Sequence, residues 1–224
     1  MDRRAPGAQR VSGKTAHIGV LGLQGDFQKH LEMLAMVPDV DARIVRTPDE
    51  IDRCDGLIIP GGESTTVGKL MARYGVDEAI RRRAAEGMAV FGTCTGMILL
   101  AKDIEGSDQQ RLGLIDMTVR RNAFGRQVDS FEADLDIPTI CGAGSASGVS
   151  GVSGLQSRND TGPVRAVFIR SPFVTEVRGD AEVLATLDTG EIVMVRQSNC
   201  LAAAFHPELT SDTRVHQYFA GMCR

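Results

Sequence analysis

Several features that mark common protein classes are missing from this sequence of 224 residues. Lysine and arginine together number 25 against 29 aspartates and glutamates, and no long basic run is present, so the chain has no general attraction for nucleic acid or an anionic membrane surface. Apolar runs such as 97–100 fall far below the roughly 20 residues that a membrane helix needs. We therefore expect a soluble protein that binds neither nucleic acid nor membrane.

Cysteine is present but lacks the spacing of a structural or metal-binding pattern. The five cysteines are widely separated and include no C-x-x-C pair. Neither a disulfide framework nor a zinc site is therefore indicated, and a reducing, cytoplasmic compartment fits best. We expect no bound metal.

A secretory signal is also missing. Residues 1–15 carry arginine and lysine together with proline and glycine but contain no apolar stretch. We interpret them as a disordered leader, with an organelle-targeting segment as the alternative, and 16–224 as one domain, which this length allows. Within that domain, the segment 139–162 is rich in glycine and serine and is interpreted as a flexible insertion.

Two glycine-rich loops come close to nucleotide-binding motifs but miss the required spacing. The glycines in 19–25 are spaced G-x-x-G-x-x-G, whereas the dinucleotide fingerprint is G-x-G-x-x-G. Between Gly62 and Gly68 lie five residues where a phosphate-binding loop has four, and Leu70 stands where serine or threonine should hold magnesium. We therefore expect no dinucleotide, no ATP and no other cofactor.

What is present is a regular alternation of short apolar runs and helical segments. Strands are predicted at 17–21 and Gly56–Ile59, and helices with apolar residues at helical spacing at 27–36 and 66–74. Thr47-Pro-Asp-Glu50 is a capping box with proline at the first helical position. Strands and helices that alternate over short connections predict an α/β fold with a parallel, doubly wound sheet.

The segment Gly92-Thr-Cys-Thr-Gly96 stands where an apolar strand meets an apolar helix. Glycines two residues either side of Cys94 permit a tight turn in which the cysteine adopts a strained conformation and exposes its side chain, as in a nucleophile elbow. The following helix would direct its N-terminal N–H groups at the sulfur, which favours the thiolate, and the Thr95 N–H could donate to an oxyanion. A buried, purely structural cysteine is the alternative.

Two other segments carry candidate chemistry before the end of the chain. The loop Pro60-Gly-Gly-Glu-Ser-Thr-Thr66 follows a buried strand, so either its backbone supplies a second oxyanion donor or it is a plain glycine turn. Arg121 could hold a carboxylate by paired hydrogen bonds, or it lies on the surface.

His206-Pro-Glu208 ends the last apolar strand. Proline keeps the preceding His206 extended, and Glu208, two residues on, can lie on the same side of the chain. A carboxylate beside an imidazole fixes its tautomer, as the orienting member of a nucleophile–base–orienter triad does. A structural histidine is the alternative, and the histidines at 17, 30 and 216 have no comparable sequence context.

Taken together, these motifs resemble the class I, triad-type glutamine amidotransferases. Within that class, the sequence is similar to the glutaminase subunits of the two-component pyridoxal 5'-phosphate synthases. The resemblance covers 18–219. The blocks that carry it are Gly22-Leu-Gln-Gly25, Pro60-Gly-Gly-Glu-Ser-Thr65, Gly92-Thr-Cys-Thr-Gly96, Arg121-Asn-x-Phe-Gly-Arg-Gln-x-Asp-Ser-Phe-Glu132, Phe168-Ile-Arg-x-Pro172 and Phe205-His-Pro-Glu-Leu-Thr210.

The resemblance implies a flavodoxin-like fold and hydrolysis of L-glutamine to glutamate and ammonia. Ammonia would pass to a synthase subunit, with which the chain would form a large hetero-oligomer. Cys94 would be the nucleophile, His206 the acid and base, and Glu208 the residue that orients His206. Backbone N–H groups of Gly62 and Thr95 would stabilise the oxyanion. The implied glutamine-binding residues are Gly61, Gly62, Glu63, Ser64, Arg121, Ile169 and Arg170, with Gln24 in the partner-facing loop.

Two departures from the family pattern accompany the resemblance. Thr95 stands where the family usually has alanine, which keeps the backbone donor and adds a hydroxyl near the thiolate. The segment 139–162 is longer than the family's usual connection. The competing interpretations are a different cysteine hydrolase, of the intracellular peptidase type, and a catalytically silent regulatory binding module.

Overall fold

The computed structural model describes residues 15–121, 130–141 and 162–223. No helix within these ranges is long and apolar enough to cross a membrane. The strands are β1 (Ala16–Leu21), β2 (Val40–Val45), β3 (Gly56–Ile59), β4 (Ala89–Thr93), β5 (Ala101–Ile104), β6 (Ile115–Arg120), β7 (Ser130–Leu135), β8 (Val164–Ile169), β9 (Phe173–Val177), β10 (Glu182–Thr186), β11 (Ile192–Gln197) and β12 (Cys200–Ala203). The helices are α1 (Phe27–Leu34), α2 (Pro48–Ile51), α3 (Ser64–Arg73), α4 (Val76–Ala85), α5 (Thr95–Leu100), α6 (Pro138–Cys141), a 3₁₀ helix at Pro207–Leu209, and α7 (Arg214–Met222).

Three segments singled out in the sequence lie wholly or largely outside the described residues. Of the expected leader only Thr15 is described, and of the glycine- and serine-rich segment 142–161 are not. The first residues of that segment belong to α6, which ends at Cys141. Positions 122–129, which follow Arg121 in the expected substrate-binding block, are also outside the described ranges.

One large sheet forms the centre of the structure, in the order β2-β1-β3-β4-β12-β11-β9-β6-β5, with β10 paired to β11. Neighbouring strands are parallel from β2 to β12, then antiparallel through β11, β9 and β6, and β5 is parallel to β6. The predicted α/β fold with a mostly parallel, flavodoxin-like sheet is confirmed, and an antiparallel extension lies at one side. Strands β7 and β8 pair outside this sheet.

The parallel part of the sheet creates the edge at which candidate residues meet. Strands β3, β4 and β12 are buried at every position, which is typical of parallel strands covered on both faces. In open α/β sheets, ligands bind beyond the carboxyl ends of such strands. Strands β1, β3, β4 and β12 run in one direction, and the loops that follow them carry Gln24, Gly62, Cys94 and His206.

Helix α2 begins as the sequence predicts. The Glu50 N–H donates to the Thr47 hydroxyl (3.4 Å), and the Glu50 carboxylate accepts from the Thr47 N–H (3.0 Å). Pro48 occupies the first helical position. The capping box is therefore confirmed, and its hydrogen bonds satisfy N–H groups at the start of the helix.

Helix α3 begins at Ser64, two residues earlier than predicted. The cause is Glu63, whose carboxylate accepts from the backbone N–H groups of Thr65 (3.1 Å) and Thr66 (2.7 Å) and caps the helix. Hydrogen bonds from Thr66, and then from Thr65, lower the pKa of Glu63 to about 2. The charged cap fixes the end of the glycine loop that precedes the helix.

Candidate active site

Cys94 lies at the junction of β4 and α5 in a conformation that few residues adopt. Its backbone angles are φ 48° and ψ −100°, in a region of φ/ψ space that residues other than glycine rarely adopt. A Cβ on Gly92 would lie 2.4 Å from the Gly96 carbonyl carbon, and a Cβ on Gly96 would lie 2.2 Å from the Ile59 carbonyl oxygen. The elbow predicted from the two glycines is present, although Cys94 is only 8% exposed.

His206 lies beside Cys94 on the turn that follows β12. Its Nδ1 lies 2.7 Å from the Glu208 Oε1, and its backbone N–H donates to the Val167 carbonyl (2.8 Å). Its ring and the Cys94 side chain both lie against Gly61. Burial lowers the pKa of His206, but the hydrogen bonds with Cys94 and Glu208 outweigh it and raise the pKa to about 10. The imidazole is therefore protonated at neutral pH and can stabilise negative charge on the sulfur.

Glu208 is the buried member of this group, with 3% exposure. Burial raises the pKa of its carboxyl, but His30 and the hydrogen-bonded His206 outweigh burial and lower the pKa below its ordinary value. The carboxylate therefore stays ionised at neutral pH. The three side chains have the order of a nucleophile, a base and an orienting carboxylate.

The loop that follows β3 packs directly against this group. A Cβ on Gly61 would lie 2.5 Å from the His206 Cε1 and 3.6 Å from the Cys94 Cβ, so only glycine allows the approach. The Gly61 carbonyl oxygen faces Gly25, where an added Cβ would lie 1.8 Å from it. Because a trans peptide directs its C=O and N–H in opposite directions, the Gly62 N–H points away from Gly25.

The next peptide, between Gly62 and Glu63, is held at both ends. Its N–H donates to the Gln24 side-chain oxygen (2.8 Å), and its carbonyl oxygen accepts from the Thr95 hydroxyl. A Cβ on Gly62 would lie 2.5 Å from that Gln24 oxygen. Thr95 thus links the cysteine elbow to the glycine loop.

Gln109 brings together several side chains near the loop, although nothing in its sequence context marks it. Its side-chain oxygen accepts from Arg121 (2.6 Å), Ser64 (3.2 Å) and Thr65 (3.4 Å). Its Nε2 is buried and has no hydrogen-bond partner within the described part of the chain. The structure therefore joins two predicted residues, Ser64 and Arg121, through one that sequence reasoning missed.

Ile169 and Arg170, at the end of β8, are the remaining predicted residues. The Ile169 carbonyl oxygen lies 3.9 Å from the Cys94 Sγ, and the Ile169 N–H donates to the buried Ser171 hydroxyl (3.1 Å). Arg170 has a φ of 43°, a second strained position close to the cysteine in space. The Ile169 carbonyl and the Gly61 loop lie against Cys94, which explains why the sulfur is less exposed than an open elbow would leave it.

Metal-ligating side chains are not gathered at this edge or elsewhere in 15–121, 130–141 and 162–223. Within these ranges, no group of three or more His, Cys, Asp or Glu side chains could hold a metal ion. The arrangement favours covalent catalysis by the cysteine, because a nucleophile lies beside a protonated imidazole that is 2.7 Å from an ionised carboxylate.

Known proteins share these motifs over nearly the whole chain. A family model described as the SNO glutamine amidotransferase family matches residues 20–224. The chain belongs to this family. The match includes the glycine loop, the cysteine elbow and the His206 turn, so the SNO family assignment covers every element of the site.

Individual relatives of this SNO-family chain agree with that assignment. A pyridoxal 5'-phosphate synthase subunit PdxT from Streptomyces coelicolor is 52% identical over 212 residues, covering 94% of this chain and 95% of the relative. Another from Carboxydothermus hydrogenoformans is 50% identical over 202 residues, covering 90% and 95%. A crystal structure of a glutamine amidotransferase superposes with a TM-score of 0.79 at 43% identity, covering 92% of this chain and 98% of that chain. The family resemblance inferred from the motifs is confirmed.

Proposed function

We propose that this SNO-family glutamine amidotransferase is the glutaminase subunit of a pyridoxal 5'-phosphate synthase. It hydrolyses L-glutamine to L-glutamate and ammonia and passes the ammonia to a synthase subunit. The observation that carries the proposal is the contact of Cys94, His206 and Glu208 at the carboxyl edge of the sheet. The 50–52% identity to proteins named PdxT, over at least 90% of this chain, supports the synthase assignment.

The first half of the reaction forms a thioester. The Cys94 thiolate attacks the amide carbon of glutamine, forming a C–S bond while the carbonyl electron pair moves onto oxygen. As the tetrahedral intermediate collapses, the C–N bond breaks and the His206 imidazolium donates its proton to the nitrogen, so ammonia leaves. Glu208, 2.7 Å from the ring, keeps the imidazole oriented throughout.

The second half hydrolyses the thioester. Neutral His206 takes a proton from a water molecule, whose oxygen attacks the thioester carbonyl carbon. The C–S bond breaks, glutamate is released, and sulfur leaves as the thiolate. The starting pair of Cys94 thiolate and His206 imidazolium is thereby restored.

Two backbone donors stabilise the oxyanion in both halves. They are the N–H of Thr95, the first residue of α5, and the N–H of Gly62 in the loop against Cys94. Donors of this kind each contribute about 10²–10³ in rate in acyl transfer. The rigid Gly62–Glu63 peptide supports this role, because it fixes the residue whose N–H is used.

Glutamine is held by backbone and by two arginines. The backbone of Gly61, Gly62, Glu63, Ser64 and Ile169 lines the substrate, and the guanidinium groups of Arg121 and Arg170 pair with its carboxylate. Glu63 contributes through its backbone, because its carboxylate is engaged at the start of α3.

The partner subunit docks at the loop that contains Gln24. The Gln24 side chain holds the Glu63 N–H, so contact with this loop acts on the oxyanion loop directly. We propose that the assembly is a large cytoplasmic hetero-oligomer, that 16–224 form one domain, and that the leader and the 139–162 segment stand outside the chemistry.

Replacing Thr95 with alanine tests the link between elbow and loop. The variant keeps the backbone donor but frees the Gly62 carbonyl, so kcat for glutamine hydrolysis should fall by roughly fivefold, as expected for a hydrogen bond of about 1 kcal/mol. KM should stay within about twofold, because the substrate contacts remain. Thr95→Ser keeps the hydroxyl and serves as the matched control. Equal kcat values in both variants would show that the Thr95 hydroxyl does not support the oxyanion loop.

The proposed function is tested by glutamate release from L-glutamine, measured for the purified chain alone and with the synthase subunit. Release should rise when the synthase subunit is added. With amide-¹⁵N glutamine, the label should appear in pyridoxal 5'-phosphate. Glutamate release without transfer of the label would leave a glutaminase but overturn the synthase assignment, and no release in either condition would overturn both.

A further inference from the structure

Two histidines that the mechanism above does not use lie directly behind the Glu208 carboxylate. His30 is in α1 and His216 is in α7, and neither has any exposed surface. Fully buried histidines are uncommon unless their ring nitrogens have partners. Nothing in the sequence around either residue marks it for a role in the site.

The contacts form a chain that ends on the carboxylate. The His30 Nε2 lies 3.4 Å from the Glu208 Oε2 and 3.2 Å from the Thr93 hydroxyl, and the His30 Nδ1 lies 3.0 Å from the His216 Nε2. The Glu208 Oε2 is buried and has no hydrogen-bond partner among the described residues. The His30 Nε2 therefore approaches it within ion-pair distance without the alignment of a hydrogen bond. The other carboxylate oxygen, Oε1, faces the catalytic His206.

The burial of both rings keeps them neutral. Burial, aided by the neighbouring His30, lowers the pKa of His216 to about 3, and burial also lowers the pKa of His30. A neutral imidazole has one N–H and one bare nitrogen. The tautomer of His30 therefore fixes which atom donates and which accepts in each contact between His216, His30 and Glu208.

Only one choice places a donor on the carboxylate. With the proton on the His30 Nε2, that N–H lies between the Thr93 hydroxyl and the Glu208 Oε2, which are 3.2 Å and 3.4 Å from the nitrogen, and the His30 Nδ1 accepts from the His216 Nε2–H. The opposite choice would put a bare nitrogen against a buried carboxylate oxygen. It would also put an N–H on the His216 Nδ1, which is buried without a partner within the described ranges.

We propose that His30, held in its tautomer by His216, is a positioning residue of the glutaminase site that presents an N–H to the second oxygen of Glu208. The inference rests on the proposed function. With His206 on Oε1 and His30 on Oε2, the carboxylate cannot rotate or accept a proton without losing a contact. Glu208 is thereby kept ionised and aimed at His206 although it lies in the core.

The surrounding charges give this role a pH signature. His30 is faced by Glu208, His206 and Asp26, and His216 by His30, Glu208 and Asp212. An N–H beside a carboxylate oxygen favours the ionised form, so loss of the neutral His30 ring beside Oε2 raises the pKa of the Glu208 carboxyl. Protonated Glu208 does not orient His206, so the acid limb of the kcat profile should move to higher pH.

The matched pair of variants is His30→Asn and His30→Gln. The asparagine amide can take only the place of Nδ1, which leaves Glu208 without its second donor, whereas the glutamine amide reaches the place of Nε2. With the synthase subunit present, His30→Asn should lower kcat about 10–100-fold, the effect of removing a hydrogen bond to a buried charge. KM should change by less than about twofold and the acid limb should shift upward, while His30→Gln should restore most of both.

Either of two outcomes would overturn the proposal. The first is an unshifted acid limb with an unchanged kcat in His30→Asn. The second is an equal loss of kcat in both variants, which a merely structural role would produce. If the wild-type protein hydrolyses no glutamine, the proposed function fails and not this inference. The inference is then tested on the wild-type chain by ¹⁵N NMR of the histidine rings. The expected spectrum has His30 and His216 both protonated at Nε2 and bare at Nδ1, and an Nδ1–H on His30 would contradict it.

Discussion

Replacing Cys94 with alanine is expected to reduce glutamine hydrolysis by more than about 10⁴-fold, because no other group can form the thioester. The fold should survive the change. The Cys94 Sγ makes a long contact, 3.9 Å, with the Ile169 carbonyl, and alanine keeps the Cβ in the strained turn. Glutamate release and thermal unfolding, measured on the same preparation with the synthase subunit present, separate loss of chemistry from loss of structure.

Cys200→Ala is the matched control for this prediction. Cys200 is a buried thiol on the neighbouring strand β12, and burial raises its pKa to about 12, so it is not a nucleophile at neutral pH. The control should keep the wild-type rate. Hydrolysis by Cys94→Ala near the wild-type rate would show that the reaction does not pass through this thiol.

Replacing Glu208 with glutamine should lower kcat by about 10²–10⁴-fold with little change in KM, the range over which acid–base catalysis contributes. The amide oxygen can still accept from the His206 Nδ1–H, but the negative charge is lost. The hydrogen bonds with Cys94 and Glu208 hold the pKa of His206 near 10 against burial, and loss of the carboxylate charge weakens this support. The imidazolium therefore loses its proton at lower pH in the variant.

The sign of the pH effect follows from that proton. His206 must be protonated to release ammonia, so activity falls as pH rises through the pKa of His206. In the wild-type protein, the alkaline limb of the kcat profile should lie near pH 10. In Glu208→Gln, the same limb should lie at lower pH. Glu86→Gln, at an exposed carboxylate paired with Arg83, is the control. An unshifted limb and unchanged kcat would exclude Glu208 from the triad.

The local parts of the site were predictable from the sequence. The cysteine elbow and the turn at His206 each depend on a few adjacent residues, because glycine permits the close approach at Gly92 and Gly96 and proline restricts the residue before it. Their proximity in space also followed, since both end parallel strands and such ends share one edge of the sheet.

The parts that depend on distant contacts were not predictable. Gln109 touches Arg121 and Ser64 only because the chain between them folds back, and His30 meets His216 across 186 positions. The predicted start of α3 was wrong because the Glu63 side chain caps the helix at Ser64, and an acidic cap beside glycines gives no apolar spacing to mark it. No residue type or spacing signals contacts of this kind in a single sequence.

The sequence patterns also give little sign of strands β5 and β9, each for its own physical reason. Strand β5 follows α5 without any turn residue, and its two central positions, Lys102 and Asp103, are exposed. Strand β9 buries only Val174 and lies in the antiparallel extension, so it has neither an apolar run nor an alternating pattern.

The most direct test of the central claim is to identify the residue that carries the acyl group during turnover. The complex of the chain with the synthase subunit is incubated with L-[¹⁴C]glutamine, quenched in acid, digested and analysed by mass spectrometry. The account predicts a glutamyl thioester on the peptide that contains Cys94, and its loss in Cys94→Ala. Label on Cys54, Cys141, Cys200 or Cys223 instead, or rapid hydrolysis by Cys94→Ala, would contradict it.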